Sequence, residues 1–220
     1  MSYSGDNYES APSSGPGVLW TIGNRPAPSV VPAAAEPPIE NGFSAHPVAS
    51  SMQISIVTGT GAGRTALSAY DAALAAANVH DYNLVTVSSV VPAHATVERV
   101  GTAPDLGPVG NRLTVVEARA TVGPDTTAPA CAALGWTRAA DGRGLFYEAS
   151  GPDERAVREA VEVGLADGVA LRDWEPTTRG IETVQAAPGA ADAVAPAATP
   201  EDAYTVAVAL AVYGDSTPIA

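Results

Sequence analysis

The chain of 220 residues is the size of one domain with tails, and its 24 acids, 11 arginines and absence of lysine leave a net charge of −13. Without a lysine amine it can build neither a pyridoxal-phosphate site nor a lysine Schiff base, and it lacks the phosphate-binding lysine of a P-loop. The acidity argues against nucleic acid as a partner; it is of the kind associated with salt-loving organisms or GC-rich genomes, which explains the charge without any acidic binding site.

Residues 1–50 hold eight prolines among Ser, Gly and Ala with no apolar periodicity, which predicts a flexible N-terminal extension. A single folded domain is expected over 51–220. Ile54 and Ile56 alternate with polar neighbours in a strand that should end at Thr58-Gly59-Thr60-Gly61-Ala62-Gly63, and a helix is expected from Thr65 to Asn78 with Leu67, Tyr70, Leu74 and Ala77 as its buried stripe. Asn83 to Val91 reads as one β segment stopped by Pro92, and Thr96 to Asn111 as a long loop. Leu113–Thr121 and Ala130–Ala139 read as strands, the latter joined to Gly144–Glu148 through the turn Asp141-Gly142-Arg143. Pro152-Asp153-Glu154 opens a helix to about Leu171 with Val157, Val161 and Leu165 inward. Thr183–Ala186 and Tyr204–Val212 close the chain as strands around a loose Ala/Pro/Gly-rich insertion, 185–202. The pattern is α/β of the mixed, α+β type, with strands in excess.

Most familiar chemical motifs fail. Gly59, Gly61 and Gly63 place Arg64 where a dinucleotide fingerprint needs its third glycine, so the glycines are read as a tight strand-to-helix turn. His46, His80 and His94 share no metal-ligand spacing, so no metal is expected. No nucleophile elbow is present. The single cysteine, Cys131, reads as a small hydrophobe in a strand. No apolar run approaches the ~18 residues of a membrane span, and no basic start followed by an apolar core opens the chain. A soluble, cytoplasmic protein without membrane partners is expected.

What remains is Tyr82-Asn83-Leu84-Val85-Thr86-Val87-Ser88-Ser89-Val90-Val91-Pro92, preceded by the glycine segment and by Ala69-Tyr70-Asp71-Ala72-Ala73-Leu74. On pattern alone the serines are two polar positions near a strand end. Together, residues 57–92 resemble the processing region of the pyruvoyl-dependent arginine decarboxylases. Gly144-Leu145-Phe146-Tyr147-Glu148-Ala149-Ser150-Gly151 and Ala203–Leu210 resemble the family's later strands more softly. The resemblance covers about 53–184 and 203–214.

That resemblance implies a four-layer α/β/β/α sandwich, assembled as homotrimers with sites between subunits. It implies that the chain cuts itself between Ser88 and Ser89, giving a β chain, 1–88, and an α chain, 89–220. The Ser89 hydroxyl would attack the Ser88 carbonyl to form an ester. Elimination and loss of ammonia would then leave a covalent pyruvoyl group (pyruvate) at residue 89, with no PLP and no metal. The ketone would hold the α-amine of L-arginine as a Schiff base and act as electron sink while CO2 leaves, giving agmatine. Glu148 matches the acid that returns the proton, a role that needs partial burial to keep a carboxyl neutral. Asp71 matches the guanidinium-binding aspartate, with Leu67 and Leu74 beside the substrate's aliphatic stem; a carboxylate also suits a guanidinium fork on its own chemistry. Asn83 matches an asparagine needed for processing and the site, and could equally cap local backbone. A pyruvoyl enzyme for another amino acid and a non-catalytic binding member of the same fold stay open.

The halophile reading of the composition is tested by a salt titration. Circular dichroism in dilute buffer should show incomplete folding that is restored as the screening length falls from ~10 Å at 0.1 M to ~3 Å at 1 M salt; full folding in dilute buffer would remove the halophile reading.

Overall fold

The first strand, β1 (Gln53–Gly63), does not turn at its glycines but runs straight through them. The reason lies across the sheet. Helix α1 (Ala66–Ala76) packs so closely that a Cβ at Gly59 would stand 2.1 Å from the Ala73 carbonyl oxygen, and one at Gly61 2.2 Å from the Ala69 oxygen and the Ala73 nitrogen. The glycines are therefore a groove for a helix backbone, not a device for left-handed φ, and the expected turn is corrected accordingly. The buried face of α1 is correspondingly small: Ala69, Ala72, Ala73 and Leu74 are inside, whereas Leu67 is 76 % exposed. Thr65 caps the helix, its hydroxyl accepting from the Ser68 N–H while the Ser68 hydroxyl accepts from the Thr65 N–H.

The computed structural model describes residues 51–195 and 199–219; the extension expected over 1–50 and residues 196–198 of the insertion lie outside them. In chain order after α1 come β2 (Asn83–Thr86), β3 (Val90–Val91), β4 (Thr96–Gly101), β5 (Arg112–Val122), β6 (Ala130–Ala139), β7 (Gly144–Gly151), helix α2 (Glu154–Ala170), β8 (Pro176–Ala186), β9 (Ala193–Val194) and β10 (Tyr204–Tyr213). They form two sheets, ordered β2-β5-β10-β1-β4, with β9 also on β1, and β3-β7-β6-β8. The mixed α/β class agrees with the sequence.

Three differences have physical causes. The loop expected over 96–111 begins with β4, which lies parallel to β1; it is an edge strand with only Val97 partly inside, so it carries no alternation for a sequence to show. The single β segment expected over 83–91 is two strands in different sheets, because the chain leaves β5 after the Val87 N–H bonds Val115 and joins β7 where the Phe146 N–H bonds Ser89 (2.8 Å). Within the stretch read as a loose insertion, Gln185 and Ala186 complete β8, Ala193–Val194 pairs with β1, and the Thr60 hydroxyl bonds the Asp192 carboxylate (2.8 Å) while accepting its N–H (2.7 Å).

Strand β10 shows how one pattern serves two interiors. Ala207, Ala209 and Ala211 join Ile54, Ile56, Leu134, Trp136 and Phe146 in a cluster drawn from both sheets. Val206, Val208, Leu210 and Val212 point the other way, onto α1. A third cluster packs Val157, Val161 and Leu165 of α2 on Cys131, Ala133 and Leu145. Cys131 is fully buried, and that burial pushes its thiol up, helped by Glu154 and Asp153. It is the small strand hydrophobe expected. No helix among the described residues is long and apolar enough to cross a membrane.

The groove makes a sharp prediction. Gly61→Ala forces a Cβ onto helix backbone, so it should cost at least about 2 kcal/mol in a denaturant titration; a variant as stable as the parent would show that α1 is free to move away.

Candidate active site

The link between the sheets is three residues long, Val87-Ser88-Ser89, and it leaves Ser88 exposed and Ser89 half-buried beside β7. Phe146 and Glu148, two apart on β7, share one face: Phe146 is buried in the inter-sheet core, while Glu148 is exposed. The Ser89 hydroxyl reaches Glu148 at 3.1 Å from Oε1 and 3.0 Å from Oε2, a contact between residues 59 apart in sequence. Both face a cavity of about 350 Å³, lined also by Ser88, Val90, Leu145, Phe146, Tyr147 and Arg172. The expected pair, Ser89 and Glu148, is thus brought together.

The backbone around the serines is held on every side. The Ser89 carbonyl accepts from Phe146 N–H, the Ser88 carbonyl accepts from Val90 N–H at 2.7 Å, and the Val90 carbonyl accepts from the Tyr213 hydroxyl at 2.8 Å. Tyr213 stands edge-on to the Phe146 ring, centroids 6.1 Å apart. Burial, and secondarily the charge of Glu148, push its phenol up to about 12. Arg172 brings the cavity's cation; its Nη1 donates to the Gly168 carbonyl (2.9 Å) and its guanidinium lies 5.5 Å from the Trp174 ring centroid. Tyr213 and Arg172 were not found by sequence reasoning. Neither stands in a motif, and only the fold carries them to the serines.

The other expected residues stand elsewhere in this chain. Asp71 and Leu67 are exposed on α1 and do not line the cavity, and Leu74 is 7 % exposed inside the cluster beneath α1, with little surface for a substrate. The Asn83 amide donates to the Gly110 carbonyl at 2.6 Å, a bond to backbone 27 residues further along the chain and not to its own neighbours. Glu148, exposed in the single chain, lacks the burial that a neutral proton donor needs. A second cavity of about 290 Å³ shares Glu148 with Glu117, Arg119 and Ser150, so the carboxylate borders two hollows. Among the described residues no three His, Cys, Asp or Glu converge as metal ligands.

The chain matches the family model described as pyruvoyl-dependent arginine decarboxylase over residues 53–218. It is 48% identical over 174 residues to a pyruvoyl-dependent arginine decarboxylase of Halobacterium salinarum, covering 76% of this chain and 97% of that one. It is 34% identical over 115 residues to a protein of the same name from Pyrococcus furiosus, covering 51% of this chain and 71% of the relative. A Pyrococcus horikoshii protein of that name matches to the same extent.

The raised phenol has a consequence for stability. A tyrosine that titrates near 12 when folded and near 10 when unfolded holds its proton more tightly in the native state. Its contribution is complete below pH 10 and is lost as pH rises toward 12. Tyr70, also pushed up to about 12 by burial and then by Glu117, acts in the same direction. Unfolding free energy should therefore fall above pH 10, less steeply in Tyr213→Phe; an unchanged slope in that variant would contradict the assignment.

Proposed function

The chain belongs to the pyruvoyl-dependent arginine decarboxylase family, and we propose that it cuts itself between Ser88 and Ser89, carries a pyruvoyl group on residue 89, and converts L-arginine to agmatine and CO2. The observation that carries this reading is the Ser89 hydroxyl on both oxygens of Glu148 inside one cavity. The residues present suit such a group. Residue 89 sits at a cavity wall with its carbonyl fixed by Phe146 N–H, and a carboxyl stands over its side chain. In a chain with no lysine, a ketone at residue 89 supplies the electron sink for a decarboxylation.

The protein's own groups then have distinct tasks. Glu148 holds the proton that must return to the substrate's α-carbon. Phe146 N–H and Tyr213, through Val90, keep residue 89 on that carboxyl after a cut, because both bonds lie on the C-terminal side of the Ser88–Ser89 peptide. Arg172 balances negative charge within the same cavity.

The remainder of the site comes from a neighbour. Asp71 and Leu67 stand on the exposed face of α1, away from the cavity of their own chain, and Glu148 is open to solvent. Both facts suit a homotrimer in which one subunit's α1 covers the next subunit's Glu148, burying the acid and presenting Asp71 to the guanidinium. Asn83 would reach a reacting group only by exchanging its bond to Gly110. The three clusters, one under each helix and one between the sheets, support the four-layer α/β/β/α sandwich.

The test is the denatured intact mass of purified protein. Two fragments split at Ser88–Ser89, the C-terminal one lighter by one ammonia than a hydrolytic cut gives, are expected; a folded chain that stays whole would favour a binding module instead. Ser89→Ala should remain whole. Glu148→Gln, which can still accept from the serine hydroxyl, should be cut yet lose at least about 100-fold in kcat. Asp71→Asn should lose its preference for arginine across a panel of amino acids; an unaltered preference would remove Asp71 from the site.

A further inference from the structure

Val90 occupies an unusual place in the pairing of β3 with β7. It stands opposite Leu145, while the bond between the strands runs from Phe146 N–H to the Ser89 carbonyl. In an antiparallel pair, bonded and non-bonded positions alternate, so the amide and carbonyl of Val90 turn away from β7. Both are nevertheless used: the carbonyl accepts from Tyr213, and the N–H donates to the Ser88 carbonyl at 2.7 Å, closing a three-residue turn over Ser89.

We infer that the Val90 N–H is the oxyanion donor of the self-cleavage reaction, an inference that rests on the self-cleavage reading above. In the acyl shift the Ser89 Oγ bonds to the Ser88 carbonyl carbon and the carbonyl π pair moves onto the Ser88 oxygen. The pair returns as the Ser88–Ser89 C–N bond breaks, and the hydroxyl proton ends on the Ser89 nitrogen. An amide and an alcohol have become an ester and an amine, with no atom gained or lost. Charge develops on the Ser88 oxygen, and a donor 2.7 Å away in a fixed backbone meets it without reorganisation. The Asn83 amide, matched to an asparagine the family needs for processing, is held on Gly110. Val90 N–H makes the hydrogen bond described on the Ser88 carbonyl, and it belongs to the residue directly after the two that react.

Proline at position 90 deletes this donor without deleting a bond between β3 and β7, because the lost N–H lies off the ladder. Val90→Ala removes the half-exposed side chain and keeps the donor. Followed by intact mass, cleavage should be at least about 100-fold slower in Val90→Pro than in Val90→Ala. Neutral hydroxylamine, which cuts esters, should leave Val90→Pro whole at 88/89, since the block precedes the ester. Cleavage of Val90→Pro within a few-fold of the parent, or its splitting at 88/89 by hydroxylamine, overturns the inference while leaving self-cleavage intact. A parent chain that is never cut overturns the reading itself and the donor with it. Should the ring prevent folding, 2-hydroxy-3-methylbutyrate at position 90 replaces the same N–H by an ester oxygen; the same slowing is expected, and parent-rate cleavage overturns the assignment.

Discussion

Three residues span the step from one sheet to the other, and the chemistry of the molecule is set by how little slack they have. Val87 is still bonded to β5 and Ser89 is already bonded to β7, so Ser88 alone bridges two separately anchored backbones. A peptide held at both ends cannot drift from the groups around it. That is why one side chain on β7 meets the Ser89 hydroxyl with both of its oxygens, and why the carbonyls of residues 88, 89 and 90 each find a donor of their own. The effect is preorganisation in the plain sense: the groups are ordered by folding, before any reaction draws on them.

That step can be short only because the sheets are pinned face to face, and small residues do much of the pinning. Alanines at 207, 209 and 211 oppose Trp136, Phe146 and Leu134 across the interior, and glycines at 59, 61 and 63 let α1 settle against the outer face of β1. A composition rich in alanine and glycine and poor in large aromatics thereby packs tightly, because each large side chain is met by a small one.

Much of this was legible beforehand. The second helix announced itself through Pro152-Asp153-Glu154 and a clean stripe, and Asp153 caps it by accepting from Ala156 N–H at 2.7 Å. The hairpin at Asp141-Gly142-Arg143 likewise joins β6 and β7 as expected, with Gly142 at φ +87°. The glycine groove was not legible, since three alternate glycines look alike whether a turn or a helix lies opposite. The edge strand β4 was hidden by having almost nothing to bury. At the site, Ser88, Ser89 and Glu148 stood in recognisable strings. Tyr213 lies one residue beyond the alternating run that marked β10, and Arg172 lies in the loop after a helix. Asp71 and Leu67 were named by a string of residues too, yet the fold leaves both exposed on α1, away from the cavity that holds Ser89 and Glu148.

The topology also decides what a break at the serines would leave behind. β1, α1 and β2 precede the pair, and all the other strands follow it. Yet β1 lies between strands from the later part, matched to β10 through ten residue pairs and flanked on its other edge by β4 and β9. The earlier segment is thus a wedge within the later one, not a leader resting on its surface. Severing the chain there would leave one body with two extra ends, its parts held by paired strands in place of the lost covalent link. The new terminus would gain local freedom at its tip without loosening the sheets that aim it.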